Sequence, residues 1–365
     1  MKKNFFLLFF SIIISLILVE IILGISGKYK NLTNNTLTPS DAIYERPNLS
    51  QQKHKHPDLN YIINNSFDKD GVKNFDQIPA SQKNDIIAIF GDSFTENIAI
   101  DKKFEYSNLV NQKLTNNTLV NYGIGGYSAD QSFIRYLKYK DHNIKHVFLF
   151  LLPGDEIFST KSTFYNDGSY KIYKNELNIF YQILGKLNFT YFLIDSYYKI
   201  RGLLRDNHTT IKIDNYNQVL SNKINKKFYS RDTSECVAEP IICEINLLNL
   251  LITFRKEVEK NNATFHILVF PEEKYISYLT KIISKAEKKF NYYILHTDLG
   301  KPRDFENKDP TIKQLIFKND SHWNEYGNLF FAQNLINIFD ELGIRFNDSV
   351  LGVDENDIDL FYKDN

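Results

Sequence analysis

The chain has 365 residues, with 44 Lys or Arg against 44 Asp or Glu, so its formal net charge is zero. This balance offers no basic excess for nucleic acid, and we expect no nucleic-acid partner. Two cysteines cannot build a disulfide-rich scaffold or a multi-cysteine zinc module, and the eight histidines are scattered. We therefore expect no metal and no other cofactor. The hydrophobic fraction of 43% excludes a wholly disordered chain.

The N-terminus is a candidate membrane segment. After a short basic start, nearly every residue from Phe5 to Leu23 is apolar, and such a helix spans about 28 Å, close to the hydrocarbon thickness of a bilayer. A cleaved signal peptide and an uncleaved anchor are both compatible with this run. Its length and the lack of a clear small-residue cleavage site favour the anchor. We predict a single-pass membrane helix over residues 1–27, with the rest of the chain extracytoplasmic, in the periplasm.

Two side features accompany this prediction. Glu20 lies near the outer end of the apolar run, where it would sit at the membrane interface or pair with a partner helix. Cys236 and Cys243 flank a six-residue stretch. They would form a disulfide in an oxidising compartment, or remain two buried thiols, and the sequence leaves both open.

The remaining chain divides by composition. Residues 28–58 are polar and rich in Asn, Thr, Gln and Lys, which is typical of a tether. Residues 59–345 form the predicted main domain. Within it, about 158–235 break the regular alternation and are interpreted as an insertion over the edge of the sheet where the site lies. Residues 346–365 are the predicted C-terminal tail.

The main domain alternates apolar runs with amphipathic stretches. We expect five strands, at 85–90, 119–122, 146–152, 264–270 and 292–296, and five helices, at 106–114, 128–140, 243–260, 272–290 and 324–342. Such alternation implies crossover connections and a mainly parallel sheet with helices on both faces. The predicted fold is therefore an α/β three-layer αβα sandwich with a five-stranded, flavodoxin-like sheet.

A serine and a histidine are the candidate reactive residues. Ser93 lies in Gly-Asp-Ser-Phe-Thr, directly after the first predicted strand, where the functional edge of a parallel sheet is expected. Serine is a weak nucleophile unless a base takes its proton. His322, just before the last predicted helix, is the best candidate for that base, and Asp320 would orient it. Asn324 is the predicted N-cap of that helix, and Asp92 is expected to make structural hydrogen bonds within the serine turn.

These stretches resemble the SGNH, or GDSL, hydrolases. Residues 91–95 are similar to the first signature block of that family, 121–128 to its second and 320–327 to its last. The resemblance covers roughly residues 60–342, and it includes a lead-in at 68–73 and an N-terminal membrane helix, as in membrane-tethered bacterial members. It implies a triad of Ser93, Asp320 and His322, with an oxyanion hole formed by the backbone N–H groups of Ser93 and Gly126.

Two residues depart from the family pattern. The family's third block normally supplies an Asn side chain to the oxyanion hole, and Asp155 stands at that place here. An ionised carboxylate cannot donate a hydrogen bond, and a lost donor typically costs on the order of 10²–10³ in rate. In addition, Asp320 lies two residues before the histidine, where many members place it three before.

The resemblance implies a serine ester hydrolase or O-acyltransferase acting on small O-acyl esters. O-acetyl groups on envelope glycans are the expected substrates, and a membrane-bound acyltransferase is a further candidate partner. Aromatic residues of the insertion, such as Tyr165 and Tyr170, would either stack on sugar rings or pack in the core. The alternative function is a catalytically impaired module that binds a glycan or an acyltransferase without turnover. The residues that bind the substrate are not identifiable from the sequence.

Overall fold

A computed structural model describes most of the main domain and part of the N-terminal region. The residues that it describes are 2–26, 45, 51–55, 59, 62–73, 78–83, 85–151, 162–172, 187, 189, 192–193, 196, 240–270, 273–295, 315–317, 322–347, 353–354 and 356–359. The chain divides into two compact units, one formed by residues 1–47 and 174–225 and the other by residues 48–173 and 226–365.

The secondary structure follows the predicted alternation of strands and helices. The described strands are β1 (Gln51–Lys55), β2 (Ile62–Ser66), β3 (Ile86–Phe90), β4 (Thr118–Asn121), β5 (Ile144–Leu151), β6 (Thr163–Phe164), β7 (Tyr170–Lys171), β8 (Thr264–Val269) and β9 (Asn291–Ile294). The described helices are α1 (Lys2–Ser26), α2 (Ser93–Glu96), α3 (Tyr106–Asn111), α4 (Ala129–Tyr139), α5 (Pro240–Lys260), α6 (Glu273–Ile283) and α7 (Glu325–Glu341).

The first unit contains helix α1, which is 25 residues long. Glu20 of this helix accepts a hydrogen bond of 2.8 Å from the backbone N–H of Phe189 in the same unit. Glu20 therefore bonds to a backbone group of its own chain, and its placement relative to a membrane stays a prediction. No helix in the described part of the chain is found to be long and apolar enough to cross a membrane. The membrane anchor therefore stays a prediction.

The second unit is built on a five-stranded sheet in the order β4-β3-β5-β8-β9, with every neighbouring pair parallel. This order reverses direction between β3 and β5, as in a flavodoxin-like sheet. Ligands of such sheets bind beyond the carboxyl ends of the strands at this reversal point. The prediction of a parallel five-stranded α/β sheet is confirmed, and Ser93 follows β3 at the reversal point.

Helices cover both faces of the sheet, and the central strand β3 is accordingly apolar and buried at every position rather than at alternate ones. On one face Ile87, Phe148 and Leu268 share a core with side chains of α3 and α7. On the other face the Phe90 ring contacts Tyr136 of α4 and Phe254 of α5. The layers are therefore helix, sheet and helix, as the sequence predicts.

Parts of the predicted tether and of the predicted C-terminal tail are described by the structure. Gln51–Lys55, within the predicted tether, pairs antiparallel with Ile62–Ser66. Backbone hydrogen bonds to the neighbouring strand hold this segment in extended form, and its polar composition gives no indication of a strand. In the predicted C-terminal tail, Val353 and Ile358 are buried in the core, and the Tyr326 hydroxyl donates to Asp359. Burial of these apolar side chains holds part of the tail against the domain.

The described part of the predicted insertion packs on helices. Strands β6 and β7 form a short antiparallel hairpin. The rings of Phe164 and Tyr170 meet Phe133 of α4 edge-on at 5.5 and 5.1 Å. Tyr170 therefore serves in core packing, whereas Tyr165 is exposed. Most of the remaining insertion, and with it the predicted cover of the site, lies outside the described residues. The same holds for Cys236 and for the side chain of Cys243.

Candidate active site

The Ser93 turn is fixed by a helix cap. Strand β3 leads through Gly91 to Asp92, the N-cap of α2, whose Oδ1 accepts a 2.9 Å hydrogen bond from the N–H of Phe94. A Cβ atom at Gly91 would lie 2.2 Å from Oγ1 of Thr95, so only glycine fits there. Asn97 closes the helix in a left-handed conformation, with φ of 53°. Ser93 therefore begins a short rigid helix just beyond the sheet.

His322 is held by a short antiparallel pairing in front of α7. The N–H of Phe317 donates to the carbonyl of His322 at 3.0 Å, and the N–H of Asn324 donates to the carbonyl of Leu315 at 3.0 Å. Asn324 also caps α7, because its side chain accepts from the N–H of Gly327 at 3.0 Å. The predicted N-cap is confirmed. His322 is therefore held by a backbone hydrogen bond to Phe317, and the capped N-terminus of α7 follows two residues later.

These two elements bring the predicted nucleophile and base together. His322 Nε2 lies 2.6 Å from Ser93 Oγ, within hydrogen-bond distance. The residues are 229 positions apart in the chain, so only the fold joins them. The ring centroids of His322 and Phe94 are 5.2 Å apart, and Phe94 in turn packs edge-on against the buried Trp323. The pair is therefore held by aromatic packing as well as by the backbone.

The carboxyl group of Asp92, which lies close to this pair, has a raised pKa. Burial raises its pKa from 3.8 to about 6, against the opposing effects of the Phe94 N–H and of a charge on His322. Its carboxylate bonds back to the helix that it caps, which agrees with a structural role. Asp92 also lies close enough to His322 to interact with its charge, and so contributes to the electrostatics of the site.

The loop after β4 lies against the Ser93 turn. Its residues 124–127 form a tight turn closed by a 3.1 Å bond from the N–H of Tyr127 to the carbonyl of Ile124. Gly126 has φ of +80°, which suits the third position of a type II turn and favours glycine. Asn121, at the end of β4, donates to the carbonyl of Thr95 at 2.6 Å. Gly126 is therefore on the loop that packs against the nucleophile.

Buried polar side chains behind the Ser93 turn were not singled out from the sequence. Lys73 Nζ donates to the carbonyl of Asn97 at 2.6 Å, and the Tyr106 hydroxyl donates to that of Thr95 at 3.0 Å. Glu96 Oε2 accepts from the N–H of Gly125 at 2.6 Å. The sequence signals are slight: Glu96 adjoins the serine motif, and Lys73 ends the lead-in of the family resemblance.

Two predicted site residues, Asp320 and Asp155, lie outside the described residues. The structure therefore brings Ser93, His322 and the Gly126 loop together and leaves the roles of both carboxylates as predictions. Across the described part of the chain, no group of three or more His, Cys, Asp or Glu is placed to hold a metal ion.

The chain matches no family model and no curated protein. A solved structure that matches is that of a member of the lipolytic protein G-D-S-L family from Veillonella parvula DSM 2008. The two are 13% identical, the TM-score is 0.35, and the match covers 70% of this chain and 98% of the other. Because the similarity is this low, the activity has to be inferred from the residues of this chain.

Proposed function

We propose that this chain is a serine ester hydrolase or acyl-transfer enzyme, with Ser93 as nucleophile and His322 as general base. The observation that carries the proposal is the 2.6 Å distance between Ser93 Oγ and His322 Nε2 at the functional end of a parallel sheet. An imidazole at this distance can accept the hydroxyl proton as the oxygen attacks.

The proposed reaction has two steps. Ser93 Oγ attacks the ester carbonyl while its proton moves to His322 Nε2. The tetrahedral intermediate then collapses, the alcohol leaves with that proton, and an acyl-enzyme remains. A water or a sugar hydroxyl next gives its proton to His322 and attacks the acyl carbon. The second tetrahedral intermediate then breaks its bond to Ser93 Oγ, which takes the proton back from His322, and a carboxylic acid or a new ester is released.

The other groups of the site stabilise charge in this scheme. Asp320 orients His322, and the backbone N–H groups of Ser93 and Gly126 hold the negative oxygen of the intermediate. Asp155 stands in the sequence where the family resemblance expects a third donor, and a carboxyl group can donate a hydrogen bond only in its protonated form. The positive φ of Gly126 and the packing of its loop against the Ser93 turn support this assignment.

Esterase activity is tested by measuring hydrolysis of p-nitrophenyl acetate by the full chain. Ser93→Ala should lose turnover while its melting temperature stays close to that of the wild type. Ser81→Ala, at an exposed serine in the lead-in to the sheet, is the matched control and should keep full activity. Equal turnover by Ser93→Ala and the wild type would rule out Ser93 as the nucleophile.

We further propose that the substrates are small O-acyl groups, chiefly O-acetyl groups on envelope glycans, and that the enzyme is tethered outside the cytoplasm by α1. The apolar run of residues 5–23 and the exposed Ile22 and Ile25 support the tether. Retention of the full chain in the membrane pellet after alkaline carbonate washing would agree with it, and release into the supernatant would contradict it. Adding a sugar acceptor to the esterase assay separates transfer from hydrolysis.

A further inference from the structure

A carboxylate that the reaction scheme does not use lies against the nucleophile. Glu96 follows Ser93 by three positions in α2 and is only 1% exposed. Its Oε2 accepts a 2.6 Å hydrogen bond from the backbone N–H of Gly125. Burying a carboxylate is costly unless it is hydrogen-bonded, and a bond from N–H to an ionised carboxylate is stronger than a neutral one. This contact therefore fixes one peptide of the loop that follows β4.

The contacted peptide is inside the turn that carries Gly126. Gly125 is the second residue of the 124–127 turn, and Gly126, with its positive φ, is the third. The turn is also tied to the sheet, because the N–H of Ile124 donates to the carbonyl of Gly91 at 3.1 Å. The N–H groups on either side of Gly126 are both bonded, that of Gly125 to Glu96 and that of Tyr127 to the carbonyl of Ile124. The turn, rather than the substrate, therefore sets the direction of the Gly126 N–H.

The turn is also in close contact with Ser93. A Cβ atom at Gly125 would lie 3.0 Å from Glu96 Oε2 and 3.5 Å from the Cβ atom of Ser93. The backbone around Glu96 is held in turn by Lys73, which donates to the carbonyls of Asn97 and Glu96 at 2.6 and 3.4 Å. Glu96 therefore connects helix α2, which carries Ser93, to the turn of residues 124–127.

We propose that Glu96 is a positioning residue that orients the Gly125–Gly126 loop, so that the N–H of Gly126 is directed at the developing oxyanion before substrate arrives. The inference rests on the proposed esterase function. Donors that are fixed in advance stabilise the transition state without reorganisation, and a misplacement of about 1 Å can cost roughly 10²-fold in rate. Removing the anchor should lower kcat and leave KM nearly unchanged, because the ground-state ester has little charge on its oxygen.

The test compares Glu96→Ala and Glu96→Gln in the full chain, with p-nitrophenyl acetate as substrate. The alanine variant should lose roughly 10²-fold in kcat with KM changed by less than about threefold. The glutamine variant should recover to within about tenfold of the wild type, since its amide oxygen can accept from Gly125. Glu257→Ala removes a buried carboxylate of α5 that bonds to Lys260 and is the control. It should lower the melting temperature without changing kcat.

A second readout does not depend on activity. Hydrogen–deuterium exchange of the 122–128 segment should be faster in Glu96→Ala than in the wild type, and it should be near wild type in Glu96→Gln. Unchanged exchange in the alanine variant, or wild-type kcat in that variant, would overturn the positioning role. So would equal loss of kcat in both variants. A wild type that protects the segment but hydrolyses no ester would instead overturn the proposed function, and the catalytic role of Glu96 with it.

Discussion

Substitution of Gly123 by alanine should separate the Gly126 loop from the nucleophile. A Cβ atom at this position would lie 2.6 Å from Cβ and Cγ2 of Thr95 and 2.7 Å from the backbone nitrogen of Glu96. Carbon atoms in ordinary contact are about 3.5–4.0 Å apart, so the loop or the Ser93 turn must move by roughly 1 Å. Overpacking of this kind typically costs about 1–3 kcal/mol in stability.

The expected loss of activity is larger than this loss of stability suggests. A shift of about 1 Å between a nucleophile and its oxyanion donors can cost roughly 10²-fold in rate. We expect Gly123→Ala to lower kcat for p-nitrophenyl acetate by about that factor, measured well below its melting temperature. Most of the protein remains folded at the assay temperature, so this loss of kcat would come from the shift between Ser93 and the oxyanion donors and not from unfolding.

Gly343→Ala is the matched control for Gly123→Ala. Gly343 follows the end of α7 with φ of +72°, and a methyl group added there would meet none of the described atoms within 4 Å. The positive φ alone should cost about 1–2 kcal/mol. This variant should therefore melt at a lower temperature and keep the wild-type kcat. Wild-type kcat in Gly123→Ala as well would refute the assignment of its loop to the oxyanion site.

Two further predictions concern pH and stability. Burial raises the pKa of Asp92 to about 6, so its ionisation opposes folding increasingly from about pH 4 and fully above pH 6. Asp92→Asn keeps the cap and should gain in melting temperature over the wild type as the pH rises through that range; a pH-independent difference would contradict this. Burial lowers the pKa of His266 to about 3, with Nε2 at 3.3 Å from Nδ1 of His146. The free energy of unfolding should therefore fall below about pH 6.5, by up to about 1.4 kcal/mol per unit for this group. Denaturant titrations at several pH values should show a flatter dependence in His266→Phe, and an unchanged slope would exclude the proton-linked effect.

The parts of the fold that the sequence predicts are those with a local signature. The five strands of the sheet are apolar runs that end at glycine, proline or polar residues, and the structure has them within about two residues of the expected bounds. The hairpin of Gln51–Lys55 with Ile62–Ser66 has no such signature, because its strands are largely polar and their pairing depends on backbone hydrogen bonds.

The candidate site divides in the same way. Ser93 and His322 are recognisable because each lies in a short motif at the edge of an element. Lys73, Glu96 and Asn121 are polar residues of ordinary appearance whose importance comes from tertiary contacts with the Ser93 turn. The family resemblance includes Lys73 and Asn121 without giving them a role, and no local pattern marks a polar side chain that will be buried against a distant loop.

The proposed reaction depends on the activation of Ser93 by His322, which covalent labelling measures. The full chain is treated with a fluorophosphonate, and the adduct is located by mass spectrometry. We expect one adduct per chain, on Ser93, with labelling abolished in His322→Ala and retained in Ser81→Ala. A folded chain that is not labelled, or labelling of Ser93 that persists at the same rate in His322→Ala, would contradict this expectation.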